Sequence, residues 1–306
     1  MLFIVNISLL AIKIYIYLVL MKKNYIILPV YNDWDSLKKV LQILNQSFRA
    51  SKTHNYIIII NDFSSKKINF KKEYSNFKYL RVLNLKKNVG SQKAIFFGLK
   101  YLQKIIKKKN DKTTISILDS DGEDNPKIVK KLIRLTNIKK DYFIFVSRKK
   151  RTENNLLKAL NQLRLFITFI LTGKFINFGN FSAFPSTLLN RILSNNNLYL
   201  AYSSGVLKNY NKFFFVEIKK NKRFYGNSKV NLKFLILHAI KIISVFYKTV
   251  LLRTIILVLI TFISFDSLNL KILFTVFVII INLILISMNL FFKPKKIGLS
   301  IIKSIT

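Results

Sequence analysis

The chain has 306 residues, with 52 Lys and Arg against 13 Asp and Glu for a net charge of +39, yet 51% of its residues are hydrophobic. Disordered basic tails are polar, so this pairing excludes a histone-like or linker-like chain and leaves an anionic membrane surface or a nucleic acid as partner. With no cysteine there is no disulfide scaffold, thiolate metal site or cysteine nucleophile, and two histidines far apart in sequence, His54 and His238, argue against a histidine-rich metal centre.

In chain order, the first apolar block is Leu2–Leu20. It has no basic segment before it and no small-x-small cleavage site after it, so residues 1–21 read either as an apolar anchor or as an extension upstream of a working start at Met21. From Lys22 onward, short β-rich runs alternate with helical stretches. Tyr25–Val30, Tyr56–Asn61, Tyr79–Leu83, Thr114–Leu118 and Tyr142–Ser147 read as strands, and Asp35–Phe48, Ser91–Lys108 and Pro126–Leu135 as helices. This alternation predicts an α/β domain over residues 22–230 with a mostly parallel sheet, whose ligand sits at the carboxyl ends of the strands.

Two stretches have a wide apolar face and a cationic polar edge, the pattern of a helix lying at the headgroup layer. In Leu156–Phe175 the polar stripe is Asn161, Arg164, Thr168 and Thr172; in Asn231–Lys248 it is Lys233, His238, Lys241, Ser244 and Lys248. An ordinary amphipathic helix packed on the sheet is the alternative for each. Val250–Phe265 and the uncharged Ile272–Phe292 then read as two transmembrane helices within residues 249–293, joined by Asp266–Lys271 and followed by a tail at 294–306. Lys241, Lys248 and Arg253 before this hairpin, and Lys293, Lys295 and Lys296 after it, place both ends and the large N-terminal part in the cytoplasm by the positive-inside rule.

Four of the 13 acidic residues fall within Asp119–Asp124, directly beyond the strand Thr114–Leu118. Asp119 and Asp121, spaced i and i+2 past a strand end, can both reach one hard divalent cation, as can Glu123; carboxylates plus substrate phosphate are the usual way of holding Mg²⁺ or Mn²⁺. Helix capping explains Asn125, Pro126 and Asp124 without any metal, but it leaves Asp119 and Asp121 unexplained.

Leu28-Pro-Val-Tyr-Asn-Asp33 resembles the "PVYNE" strand end of inverting family-2 glycosyltransferases, Ile59-Ile-Asn-Asp-Phe-Ser-Ser65 their "VDDGSSD" segment, and Leu118-Asp-Ser-Asp121 their metal-binding Asp-x-Asp. Asn88-Val-Gly-Ser-Gln-Lys-Ala94, followed by Gly98-Leu99, resembles their "N-x-G-x-x-x-A…G-L" helix opening. Arg223-Phe-Tyr-Gly-Asn-Ser-Lys229 resembles the "R-x-x-G-x-S-K" element of the subgroup that transfers sugars to polyprenyl phosphates, whose members include dolichyl-phosphate mannose synthases and bacterial undecaprenyl-phosphate glycosyltransferases. Asn61, Phe63 and Asp33 depart from the family pattern, with Phe63 placing a side chain where the family has glycine.

The resemblance implies a GT-A-like α/β domain, interfacial amphipathic helices and a C-terminal two-helix transmembrane hairpin, together a multi-pass protein of a bacterial inner membrane. It implies that Pro29, Tyr31, Asp33, Asp62, Asn88, Asp119 and Arg223 bind the nucleotide-sugar, UDP- or GDP-linked. Asp119, Asp121 and Glu123 would surround the metal, with Asp121 and Arg148 at the reacting centre. Arg148, Arg164, Thr168, Ser228 and Lys229 would meet the lipid phosphate. Between Asp124 and Arg223 the only acids are Asp141, Glu153 and Glu217, and none sits in the base-bearing pair of family-2 enzymes with hydroxyl acceptors. A phosphate monoester needs no such base, because its second pKa is about 6. The expected partners are therefore a nucleotide-sugar, a polyprenyl phosphate and an anionic lipid membrane, with a homo-oligomer allowed. Two rival readings are a transferase acting on a glycan hydroxyl and a non-catalytic nucleotide-sugar-binding module at the membrane. Nucleic-acid binding lacks any recognised motif.

Overall fold

The computed structural model describes residues 22–49, 51–66, 74–106, 112–149, 155–219, 221–226, 232–292 and 298–306. The apolar block at residues 1–21 lies outside them, as do Ser228 and Lys229. Among the described residues the core is an eight-stranded sheet in the order β7-β5-β6-β4-β1-β2-β3-β8. The strands are β1 (Lys23–Val30), β2 (His54–Asn61), β3 (Tyr79–Leu85), β4 (Thr113–Ile117), β5 (Phe143–Lys149), β6 (Phe178–Pro185), β7 (Phe213–Lys219) and β8 (Ile302–Ile305).

The helices lie on both faces. The side-chain alternation of β1 shows why its run is almost wholly apolar: Tyr25 and Ile27 enter one core cluster, while Ile26, Leu28 and Val30 enter the other. A strand covered on both sides has no polar face to display. Helix α1 (Trp34–Ser47) and helix α3 (Val129–Ile138) supply the second cluster through Leu37, Leu41, Leu44, Leu132 and Ile133. Helix α2 (Ser91–Ile105) packs on the opposite face, so closely that a Cβ at Gly98 would lie 3.0 Å from Ile60 Cδ1 and 3.2 Å from Ile27 Cγ2. Two short helices, α5 (Leu189–Ile192) and α6 (Tyr202–Asn209), complete that layer.

The sheet is mostly parallel, as the alternation predicts, with antiparallel members. β3, β2, β1 and β4 run parallel, but β6 inserts antiparallel between β4 and β5, and β8 pairs antiparallel with β3. β6, β7 and β8 were not expected from the sequence. The run that forms β6 contains Gly179 and Asn180, which are poor strand formers, and it is held by its two neighbours rather than by propensity. β8 lies in what the sequence reads as a simple tail. It returns from the C-terminal helices to close the sheet edge, with Val82 and Thr306 exchanging N–H···O bonds of 2.7 and 3.0 Å.

The remaining helices are α4 (Asn155–Thr172), α7 (Leu232–Ser244), α8 (Tyr247–Ser264) and α9 (Leu268–Phe292). The expected single helix over Asn231–Lys248 breaks at Val245–Phe246, so Lys248 belongs to α8. The hairpin connection is only Phe265–Ser267, which places Lys271 inside α9 rather than in the loop. At 1.5 Å per residue, α8 and α9 span about 27 and 37 Å, and both are long and apolar enough to cross a membrane. Most of their side chains are exposed. The few buried polar groups join helices: Asn282 Nδ2 donates to Thr254 Oγ1 at 2.9 Å, and Asn289 Nδ2 to the Ser244 carbonyl at 2.9 Å. Arg253 is likewise accounted for, since its Nη1 donates to the Ile170 carbonyl at the end of α4.

Candidate active site

The carboxyl ends of β1, β2 and β4 open onto a cleft of about 200 Å³. β1 delivers Pro29, Tyr31 and Asp33, β2 delivers Asp62, β4 delivers Asp119 and Asp121, and the first residue of α2, Ser91, closes one side. Amides stitch the floor together: Asn32 Oδ1 accepts from the Ser65 backbone N–H at 2.8 Å, and Asn61 Oδ1 from that of Ser64 at 2.9 Å. Asn61 also donates to Asn84 Oδ1 at 2.8 Å, so this departure from the family's first Asp ties the β2 end to β3. Phe63 adopts a left-handed backbone, with φ of 65°, where the family has glycine. Its side chain is 56% exposed and is absent from the cleft wall, so the substitution strains the turn without filling the pocket.

Asp62 is buried, and its two oxygens accept the backbone N–H groups of Val89 and Gly90 at 2.7 and 2.8 Å. Burial raises its pKa, and those two hydrogen bonds oppose the shift. The carboxylate thus fixes the turn that leads into α2 while still facing the cleft. Asn88, one residue earlier, is exposed and does not line it.

A second cavity of about 310 Å³ adjoins the first, and the two share Ser91, Asp119, Asp121 and Arg223 as their common wall. Its far side is built by α4 and α7, through Asn161, Arg164, Leu235, His238 and Ile242. Both helices turn their polar stripe inward, except for the exposed Lys233 at the start of α7, and their apolar face outward. Thr168, Thr172 and Ser244 are buried, whereas Leu163, Phe166, Phe169 and Ile236 are exposed. That is the reverse of a helix on a water-soluble domain.

Asp119 and Asp121 stand side by side at the shared wall. Asn180 Nδ2 donates to Asp119 Oδ1 at 3.2 Å, Gln92 Nε2 donates to Asn180 Oδ1 at 2.8 Å, and Gln92 Oε1 accepts the Tyr202 N–H at 2.7 Å. Asp121 Oδ1 accepts the Glu123 N–H at 3.0 Å. Its pKa is raised to about 6, chiefly by burial and then by the charge of Asp119. Asp124 reaches back to the Asp119 N–H at 3.2 Å, and Asn125 caps the turn at Pro126–Ile128 by accepting from the Lys127 N–H.

Arg223 crosses this wall, paired with Asp33 and lying 3.6 Å from Asp121 Oδ2. It is carried by a segment that lies along the Asp-x-Asp loop, with the N–H of Asn221 on the Glu123 carbonyl at 3.1 Å and that of Phe224 on the Asp121 carbonyl at 3.0 Å. The Phe224 ring covers Gly122.

Three expectations need correction. Glu123 lines only the second cavity, and among the described residues no three acidic or histidine side chains form a protein-only metal cage; Asp119 and Asp121 stand as a pair. Thr168 is fully buried and its hydroxyl donates to the Arg164 carbonyl at 2.7 Å, so it is turned into the helix and not into the cavity. Lys248 and Lys271 belong to the long helices, as described above. Arg164 does reach the cavity wall, oriented by Asn161 Oδ1 at 3.1 Å. Arg148 is placed by its backbone opposite Ile218 on β7, at the end of β5. Sequence reasoning missed Gln92, Asn180 and His238 as site residues. Gln92 lay inside a recognised motif, whereas Asn180 had no signal because β6 itself was unexpected.

A mixed α/β sheet with a strand-end cleft, an Asp-x-Asp pair beyond β4 and an antiparallel strand inserted beside it defines a GT-A-like nucleotide-sugar transferase domain. The profile of glycosyl transferase family 2 matches residues 25–198, more than half of the chain, and the chain belongs to that family. A search of curated protein sequences gives no match. Among solved structures, residues 1–349 of Staphylococcus aureus TarS align at 16% identity and a TM-score of 0.43, covering 74% of this chain and 71% of that one. Glucosyl-3-phosphoglycerate synthase from Mycobacterium tuberculosis, in complex with Mn²⁺, UDP and glucosyl-3-phosphoglycerate, aligns at 12% identity and 0.48, covering 74% and 80%. A mycobacterial protein aligns at 11% and 0.51, covering 74% of each chain. At such identities the likeness concerns the fold alone.

Proposed function

We propose that this family-2 glycosyltransferase moves a sugar from a UDP- or GDP-linked donor to a polyprenyl phosphate, with inversion at the anomeric carbon. The observation that carries the reading is the second cavity. It begins at the Asp119–Asp121 wall of the nucleotide cleft and ends between α4 and α7, whose apolar faces point outward. An acceptor entering there comes from the plane of a membrane, head first.

In this reading Pro29, Tyr31, Asp33 and Asp62 hold the nucleoside, and Asp119 and Asp121 face the diphosphate. Two adjacent carboxylates beside a substrate diphosphate suit Mg²⁺ or Mn²⁺, which is bound by one or two carboxylates plus phosphate oxygens. When bound, the cation supplies charge stabilisation to the departing nucleoside diphosphate. Arg223 leaves Asp33 and Asp121 for the diphosphate, where a guanidinium is the preferred partner. Arg164 orients the acceptor phosphate, whose oxygen forms the new bond to the anomeric carbon as the bond to the diphosphate breaks on the opposite face. No general base is required, because the monoester is largely dianionic at pH 7.

α8 and α9 then cross the membrane as a hairpin. β8, following α9, is paired into the same sheet as the cleft, which supports both hairpin ends lying on the catalytic side. The charge rule makes that side the cytoplasm. The full chain in vesicles, given radiolabelled UDP- and GDP-sugars with undecaprenyl phosphate, is expected to produce labelled lipid. Label passing only to a glycan or a protein refutes the proposal.

A further inference from the structure

We infer that His238 is a binding residue for the acceptor phosphate, facing it together with Arg164 from the opposite helix of the second cavity. The inference rests on the reading just proposed and deepens it. His238 comes from α7 and Arg164 from α4, the two helices that form the membrane-side wall, and both side chains line the cavity. Neither lines the nucleotide cleft, and both stand on the cavity's far side from the Asp119–Asp121 wall, which supports assigning a group they share to the acceptor.

The surroundings explain why a histidine suits the place. Burial, with Arg164 and then Lys241 nearby, holds the imidazole down at about 4, so it is neutral at physiological pH. A second permanent cation beside Arg164 would carry repulsion and desolvation costs whenever the cavity is empty. A neutral imidazole still offers an N–H donor, and it adds none of that repulsion. The neighbouring side chains Leu235 and Ile242 on the same helix are apolar and make no competing claim on a phosphate oxygen. The polar stripe of α7 therefore has a use beyond amphipathicity: one turn of it looks into the cavity while Ile236 and Leu237 look out.

The test uses the full chain in vesicles with undecaprenyl phosphate as acceptor. His238→Leu keeps the bulk and suits an apolar helix, His238→Ala removes the bulk, and His238→Gln restores an N–H donor. Both apolar variants are expected to raise KM for the lipid phosphate about tenfold or more, the cost of losing a bond to a charged group. KM for the nucleotide-sugar and kcat at saturating acceptor should stay within about twofold, and the Gln variant should recover most of the acceptor affinity. Unchanged acceptor KM in Leu and Ala, or equal losses in Leu, Ala and Gln with both substrates affected, overturns the inference. An active wild type with indifferent variants sinks this inference alone, whereas a wild type that makes no labelled lipid sinks the polyprenyl-phosphate reading and this inference with it.

Discussion

Gly122→Ala is the sharpest probe of how the nucleotide cleft is closed. Gly122 sits between Asp121 and Glu123 with φ of 85°, a left-handed backbone that costs an L-residue about 1 kcal/mol or more. A Cβ there would lie 2.3 Å from Phe224 Cδ2, so the ring has to leave. As it does, the Phe224 N–H bond to the Asp121 carbonyl is put at risk, worth about 1 kcal/mol. Together these terms disfavour the docked segment by about 2–3 kcal/mol, a penalty of about 30- to 150-fold at 1.4 kcal/mol per tenfold. Since that segment carries Arg223, kcat/KM for the nucleotide-sugar should fall by about 30-fold or more. The melting temperature should fall by only a few degrees, because the Phe224 ring is a partly buried neighbour of the second core cluster and no fully buried side chain of either cluster is displaced. Steady-state kinetics and a thermal melt check both. Adding Phe224→Ala to Gly122→Ala should recover part of the loss by removing the clash and leaving the backbone strain, a coupling that a double-mutant cycle measures. If kcat/KM in Gly122→Ala stays within twofold of wild type, docking of the Arg223 segment is irrelevant to donor use.

Two further outcomes follow from the same geometry. Asp121→Asn should lower turnover at least tenfold, about 1.4 kcal/mol of transition-state stabilisation, and excess chelator should stop the wild-type enzyme; full activity in chelator would reduce Asp119 and Asp121 to a capping role. Phe166→Lys with Phe169→Lys, on an α4 face that is 63% and 48% exposed at these residues, should leave thermal stability in detergent unchanged and depress turnover of lipid acceptor in vesicles severalfold. Equal turnover in vesicles would mean that this face does not meet lipid.

The local chemistry of the site was legible in the sequence because it sits where strands end. The runs of β1 and β2 are long and rich in isoleucine, that of β4 is short but almost wholly β-branched, and polar turns follow all three, so their carboxyl ends, and with them Pro29, Asp62, Asp119 and Asp121, could be placed by pattern alone. The inward-turned stripes of α4 and α7 were visible as periodicity, although periodicity does not say which face is in. For Thr168 the difference matters: its spacing matches Arg164, yet its hydroxyl closes on the helix's own carbonyl.

Tertiary structure decided what long-range pairing alone can set. β6 has weak strand residues and exists because β4 and β5 flank it, and only through it does Asn180 reach Asp119 across 61 residues of sequence. β8 exists because the unpaired edge of β3 offers N–H and C=O groups that need partners, a demand written in the sheet and not in the sequence of the tail. The meeting of Arg223 with Asp33 and Asp121, and of His238 with the cavity that Arg164 lines, joins segments tens to nearly two hundred residues apart. The sequence by itself determined which residue types stand at the strand ends and which helices are apolar enough for a membrane. The fold determined which of them share a cavity, because a contact between distant segments depends on the packing of everything between them.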